Sequence, residues 1–224
     1  MEPRSRDDGR VPAIRVLLAD DHPVVRRGLA ALLDTLDGFE VVGEAEDGEA
    51  AVRETQLTKP DVVLMDIRMP VMDGLAATEL LRTGTGGPAI LVLTTFDTDE
   101  YLLRALRLGA NGFLLKDTPP RDIIEAVKRV RDGESMLSPS AVGTLVSAWR
   151  EQDRRAAGVD DVLDVLTDRE REVAIAVAQG LSNAEISGTL FMSVATVKTY
   201  VSRVLAKLGC TNRVQIAIAV FESR

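Results

Sequence analysis

One histidine and one cysteine serve a chain of 224 residues, and both scarcities remove whole classes of chemistry. A lone His22 excludes a multi-histidine metal centre. A lone Cys210 excludes a disulfide framework and a thiolate metal site, which points to a reducing compartment. Also missing is any apolar run near the roughly 20 residues that a membrane span needs. The first residues, MEPRSRDDGRVPA, contain no apolar stretch of the kind a secretory signal carries, so a cytoplasmic location is expected. The chain also lacks a positive balance. Its net charge is −8, yet residues 167–224 carry seven Lys or Arg against five Asp or Glu. Between Ser193 and Arg213 there are four basic residues and no acidic one. An acidic body with a small basic tail suits regulation joined to nucleic-acid binding.

What is present fits one large or two small globular domains: 46% of residues are hydrophobic and 28% charged. Residues 14–19, 39–45, 61–66, 89–94 and 112–115 read as short apolar strands. They alternate with helical patterns at 23–36, 48–57, 75–82, 99–108 and 119–131. Such alternation predicts an α/β fold, a doubly wound parallel sheet of five strands covered on both faces, ending near residue 133. Residues 138–150 read as a further helix with Pro139 in its first turn, and 151–161 (EQDRRAAGVDD) as a charged linker. Beyond these the pattern is purely helical. Thr167-Asp168-Arg169-Glu170 has the form of a capping box, and helices are expected at 182–191, 193–208 and 212–221. The predicted division is therefore 13–133, a helix and linker at 134–162, and an all-α four-helix domain at 163–224.

The chemistry gathers at the carboxyl ends of the predicted strands, where open α/β sheets place their sites. Asp66 ends the run Val62-Val63-Leu64-Met65, Asp20-Asp21 ends the first strand, Thr94 the fourth and Lys116 the fifth. Magnesium takes hard oxygen ligands, and Asp20, Asp21, Asp66 and the backbone carbonyl of Arg68 are the candidates. With a cation beside it, Asp66 stays ionised and can attack phosphorus as a carboxylate nucleophile. Lys116 would offset charge on the transferring group, and the Thr94 hydroxyl would donate to a phosphate oxygen. An isolated acidic pair after a strand is commonly just a solvated helix start. Four such signals at the same end of four strands are better explained as one site.

The elements ADD, MDIRMPVMDG, VLTTFD and GFLLKD, in this order and spacing, resemble the receiver domain of two-component response regulators over about residues 13–133. The resemblance implies a flavodoxin-like fold, phosphorylation of Asp66 by a sensor histidine kinase, Asp20 and Asp21 as the acidic pair, and Thr94 and Lys116 as the switch hydroxyl and lysine. It also implies Phe113 as the switch aromatic, for which core packing is an equally simple account. Many receivers have proline after the lysine; here it is Asp117, which removes the reason to expect a cis peptide there.

In the C-terminal part, the stretch around Asn183-Ala184-Glu185-Ile186 and the helix SVATVKTYVSRVLAKLG are spaced as a helix-turn-helix. Val197, Val201, Val204 and Leu208 recur at helical spacing as a buried stripe. Lys198, Thr199 and Ser202 lie on another face, flanked by Arg203 and Lys207. Short polar and basic side chains near the start of such a helix reach base edges, and longer basic ones reach phosphates. The same charges on an unrelated helix would simply be solvated. TDREREV, GLSNAEI, the helix above and TNR together resemble the LuxR-type DNA-binding domain over about residues 163–222, so the whole chain resembles the NarL/FixJ class. This implies base contacts from Lys198, Thr199 and Ser202 and phosphate contacts from Arg203 and Lys207. Tyr200 stands where many members have His, and Ser187 where many have Ala. Val214, Ile218 and Phe221 share a stripe on the last helix, read either as core of the small domain or as the edge that pairs two copies.

The resulting expectation is a cytoplasmic, non-enzymatic transcription regulator that takes a phosphoryl group on Asp66 with Mg²⁺, dimerises when phosphorylated and binds double-stranded promoter DNA. A magnesium-dependent phosphatase would use the same strand-end residues, but would leave the second domain without a role. A flavin-binding module shares the topology but not the acidic strand ends.

Overall fold

The computed structural model describes residues 12–83, 87–95, 99–137 and 162–223. The helix and linker expected at 138–161 lie outside the described residues. Five strands form where the apolar runs predict them: β1 (Ile14–Ala19), β2 (Phe39–Ala45), β3 (Val62–Met65), β4 (Ala89–Thr94) and β5 (Gly112–Leu115). They alternate with α1 (Pro23–Asp34), α2 (Gly48–Thr58), α3 (Gly74–Leu81), α4 (Asp99–Arg107) and α5 (Pro120–Arg131). All strand pairs are parallel, in the order β2-β1-β3-β4-β5-β6, where β6 (Met136–Leu137) is a two-residue strand on the free edge of β5. It lies just past the expected end of the domain, a length at which apolar patterning carries no signal.

Strand alternation sends neighbouring side chains to opposite faces, and each face has its own core. Val16, Leu18, Val62, Leu64 and Leu91 pack with Leu33 of α1 and Ile123, Val127 and Val130 of α5. Leu17, Ala19, Val63, Met65 and Ile90 face the other way, with Ala51 of α2 and Ala77 of α3. Val92 and Phe113 continue that second face beneath Leu102, Ala105 and Leu106 of α4. Helix starts are set by short acceptors: Asp47 takes a hydrogen bond from Ala50 N–H at 2.7 Å, and Asp73 one from Ala76 N–H at 2.7 Å.

The described residues from 162 onward form helices and the turns between them. A 3-10 turn (Val162–Val165) leads into α6 (Asp168–Ala178), α7 (Asn183–Leu190), α8 (Val194–Leu208) and α9 (Arg213–Glu222). The predicted capping box at Thr167 and Glu170 is present, and a second one joins Ser182 and Glu185 at the start of α7. Val173, Val177, Ile186, Val197, Val201, Val204, Ile216 and Val220 make one core. Between α7 and α8, Phe191 turns the chain in the left-handed region (φ 52°), and the Ser187 hydroxyl donates to Met192 O at 2.5 Å. Ser187 thus ties the inter-helix turn, a bond that alanine at this position could not make.

Gly74 begins α3 directly behind the strand end that carries Asp66. A Cβ there would lie 1.9 Å from Asp66 O and 2.9 Å from Asp66 C, both backbone atoms that cannot move alone. Gly74→Ala should therefore destabilise the domain by about 1–3 kcal/mol or more, as overpacking does, and displace Asp66. A thermal melt reads the first effect; an unchanged melting temperature would show that the loop yields freely.

Candidate functional site

Because the chain moves from β1 outward to β2 and then back across to β3, the carboxyl ends of β1 and β3 border a crevice at the point of reversal. Asp20 and Asp66 follow these two strands and are tied by the bond from Asp66 N–H to Ala19 O at 2.8 Å. Both carboxylates are buried, at 3% and 4% exposure. Asp20 Oδ1 accepts from His22 N–H at 2.9 Å, and Asp66 Oδ1 from Ile67 N–H at 2.8 Å. Their other oxygens converge on Lys116, whose Nζ lies 2.5 Å from Asp20 Oδ2 and 2.8 Å from Asp66 Oδ2. Lys116 is held in reach by its backbone, since Lys116 N–H donates to Thr94 O at 2.8 Å. Thr94 is fully buried at the end of β4, and Phe113 is fully buried in the cluster under α4. Arg68 follows Asp66 by two residues, with its guanidinium 5.8 Å from the centre of the Tyr101 ring.

Burial raises the Asp66 carboxyl above its ordinary range; the Lys116 hydrogen bond and charge oppose this, and the nearby Asp20 charge adds to it. Burial by itself would lower the Lys116 ammonium, but hydrogen bonds and charge from Asp20 and Asp66 prevail and raise it. Lys116 thus occupies the position of a counter-cation to two buried acids. Asp20, Asp21, His22 and Asp66 each bring a ligand atom within 4.8 Å of the others. Buried Asp21 Oδ1 receives no hydrogen bond and has the His22 ring nitrogen at 2.6 Å. Three converging carboxylates, one with an unsatisfied oxygen, are a hard donor set suited to Mg²⁺. His22 beside them had no reading as part of this cluster in the sequence. No cis peptide occurs among the described residues, so the Lys116–Asp117 bond is trans.

On α8, Val197, Val201 and Val204 are buried, and Leu208 packs against the same core, as their spacing predicts. Lys198, Thr199, Ser202 and Arg203 are exposed. The Thr199 and Ser202 hydroxyls donate to Ala195 O and Lys198 O at 3.0 Å each. The Arg203 guanidinium sits 5.7 Å from the Tyr200 ring centre. Lys207 is committed differently from the phosphate contact expected of it. Its ammonium donates to Glu170 Oε2 at 2.6 Å and to Val165 O at 3.3 Å, inside the domain. The bond from Lys207, with support from the Thr167 backbone, holds the Glu170 carboxyl down to about 2. Arg213 of the TNR motif is also internal, donating to Leu181 O at 2.6 Å, and burial lowers its pKa.

Residues 16–128 match the family model of the response regulator receiver domain, and residues 164–220 that of the luxR family of bacterial regulatory proteins. The chain belongs to the response regulators with a luxR-family DNA-binding domain. It is a phosphorylation-dependent transcriptional regulator of a two-component system. The response regulator protein VraR of Staphylococcus aureus is 37% identical over 209 residues, 93% of this chain and 97% of that one. The uncharacterized transcriptional regulatory protein YxjL of Bacillus subtilis is 38% identical over 206 residues, 92% and 94% of the two chains. Among solved structures, the response regulator ChrA of a heme-sensing two-component system aligns over 94% of this chain and 97% of its own, with 39% identity and a TM-score of 0.52. Salmonella typhimurium RcsB aligns over 94% and 99%, with 26% identity and a TM-score of 0.56. The family is not one of classical enzymes. Among the described residues, no helix of this regulator is long and apolar enough to cross a membrane.

The Glu170 shift fixes the sign of a pH effect. A depressed carboxyl contributes stability that is complete above its ordinary value of 4.5 and is lost as pH falls toward about 2. Over that window the urea midpoint of the wild type should fall more steeply than that of Glu170→Gln, which keeps an acceptor oxygen but does not titrate. Equal slopes would remove the Lys207 pair from the domain's acid sensitivity.

Proposed function

We propose that Asp66 is the phosphoacceptor of this regulator, that a sensor histidine kinase is its donor in a cytoplasmic setting, and that phosphorylation controls promoter binding through α8. The convergence of Lys116 on Asp20 and Asp66 carries this reading. Two buried carboxylates sharing one ammonium at the switch of the sheet support a carboxylate nucleophile there. Mg²⁺ held by Asp20, Asp21, Asp66 and the Arg68 carbonyl would supply charge stabilisation for the transferring group.

This chain's own groups do the rest. Asp66 Oδ2, which faces Lys116 while Oδ1 accepts from Ile67 N–H, is the attacking oxygen. Lys116 must loosen its bond to Asp20 to follow the negative charge arriving on Asp66, and it stays tethered through Thr94 O. Thr94 at the adjacent strand end supplies the hydroxyl that answers the bound phosphoryl group. The group added carries a charge of about −2, by analogy with other phosphorylations. That charge draws Thr94 and Lys116 toward it and changes the packing around Phe113, which shares the α4 cluster.

At the other end, Lys198 and Thr199, with Ser202, face base edges, and Arg203 faces phosphate. Lys207 joins them only if its bond to Glu170 opens. RcsB has been seen as dimers bound to DNA, and we extend a phosphorylation-dependent homodimer on promoter DNA to this regulator.

Asp66→Asn should abolish labelling by acetyl phosphate with Mg²⁺, and labelling retained at the same stoichiometry would move the acceptor elsewhere. Lys198→Ala should weaken specific DNA binding by about 1–3 kcal/mol and relax the choice of base at the position it meets. Unchanged footprints and affinity would mean that another face of α8 enters the groove.

A further inference from the structure

The turn between α7 and α8 holds the most exposed large hydrophobic side chain among the described residues. Phe191 is 94% exposed, while its neighbours Leu190 and Met192 pack against the core of the small domain. Its backbone closes α7 in the left-handed region, which is costly for a residue with a Cβ and which Gly or Asn usually takes at a helix end. A ring left in water gains nothing from burial. Neither choice serves the fold, and together they point to an occupant outside the chain. The surroundings say of what kind. Val194, 41% exposed, is the first residue of α8, one turn ahead of Lys198 on the same side of the helix. Arg169 donates to Leu190 O at 3.2 Å, which sets a guanidinium beside the turn. From Ile186 to Phe221 the sequence holds no acidic residue. Apolar groups framed by cations suit a polyanion that carries apolar spots of its own, and the turn is continuous with the face of α8 that meets duplex DNA in the reading above.

We propose that Phe191, aided by Val194, reads thymine: its ring packs on the 5-methyl group of a thymine at the edge of the bases met by Lys198 and Thr199. The residues at the start of a recognition helix are those that contact base edges. Phe191 stands two positions ahead of Ser193, the N-cap of α8, whose hydroxyl accepts from Thr196 N–H at 3.1 Å. In the major groove the thymine methyl is the apolar mark of a base pair, and apolar side chains, phenylalanine among them, are its partners. The turn is held on both sides of the ring, by Arg169 on Leu190 O and by the Ser187 hydroxyl on Met192 O, so its backbone is ordered before DNA arrives. Lys198 has Asp132 of the receiver at 3.6 Å, whereas the ring stays open beside it. The contact rests on the reading of α8 given above, and deepens it by adding a base-specific group from outside that helix.

Deoxyuridine gives a clean test, because it lacks only the 5-methyl group and keeps every hydrogen bond of thymidine. The probes are duplexes selected from random sequence by the full-length protein with acetyl phosphate and Mg²⁺, then remade with deoxyuridine at one thymine at a time. For the wild type, one position should lose about fourfold in affinity, what burying one methyl is worth. Phe191→Asn suits the left-handed cap and should melt at or above the wild-type temperature. It should bind the thymine duplex on the order of tenfold more weakly and show no uracil penalty at that position. Phe191→Gly should do the same, so the result does not hang on the asparagine amide. No uracil penalty in the wild type, or one that persists in both variants, would overturn the contact. Weaker self-association of the variants in sedimentation, with a wild-type uracil scan, would instead make the ring a contact between copies. Lys198→Ala keeps the two readings apart. If it alone weakens binding, α8 reads DNA and Phe191 does not. If it binds as wild type while Phe191→Asn loses the uracil penalty, the ring reads thymine and the register of α8 is wrong.

Discussion

Two carboxylates buried at neighbouring strand ends repel each other unless a cation lies between them, and Lys116 is that cation. The rest of the receiver serves this arrangement. The parallel register of β1 on β3 brings Ala19 beside Met65 and so Asp20 beside Asp66. The backbone bond between Lys116 and Thr94 fixes the reach of the ammonium. Gly74 lets α3 begin against the Asp66 carbonyl without displacing it. The charge balance of the crevice is thus held by one side chain shared between two partners.

The DNA-binding half is organised by local capping. Two Ser/Thr-x-x-Glu boxes, at Thr167 and Ser182, start α6 and α7, and Ser193 and Asn212 start α8 and α9. Glu170 does double service: it closes its box and anchors Lys207 from the far end of α8. The register of α8 is thereby fixed by polar contacts as well as by the valine stripe, leaving Thr199, Ser202 and Arg203 exposed and Lys198 beside Asp132.

The strands, the helices and the cluster of acids and lysine were legible because each leaves a repeated or spaced signal: apolar runs, a 3.6-residue stripe, acids and a lysine at strand ends. The Ser182-Asn183-Ala184-Glu185 box was equally legible, having the same form as the one at Thr167. Other features left no such mark. Lys207 looks like any basic residue on an exposed helix face, and only the fold brings Glu170 to it. Asn212 and Gln215 are uncharged, aperiodic, and act across more than a hundred residues of chain. The stripe of Val214 and Ile218 was visible, but periodicity reports that a face is covered and not what covers it.

The short strand β6 has a consequence for how strong any contact between the halves needs to be. By pairing Leu137 with Phe113 it moors the chain leaving the receiver to the strand that carries the buried aromatic. The DNA-binding half is therefore a tethered ligand of its own receiver, so a contact between them draws on an effective concentration and needs no second molecule. Their contact is an intramolecular one, in which the amides of Asn212 and Gln215 and the side chains of Val214 and Ile218 meet α4 and its cluster. For the same reason a small number of local bonds can decide how the two halves meet.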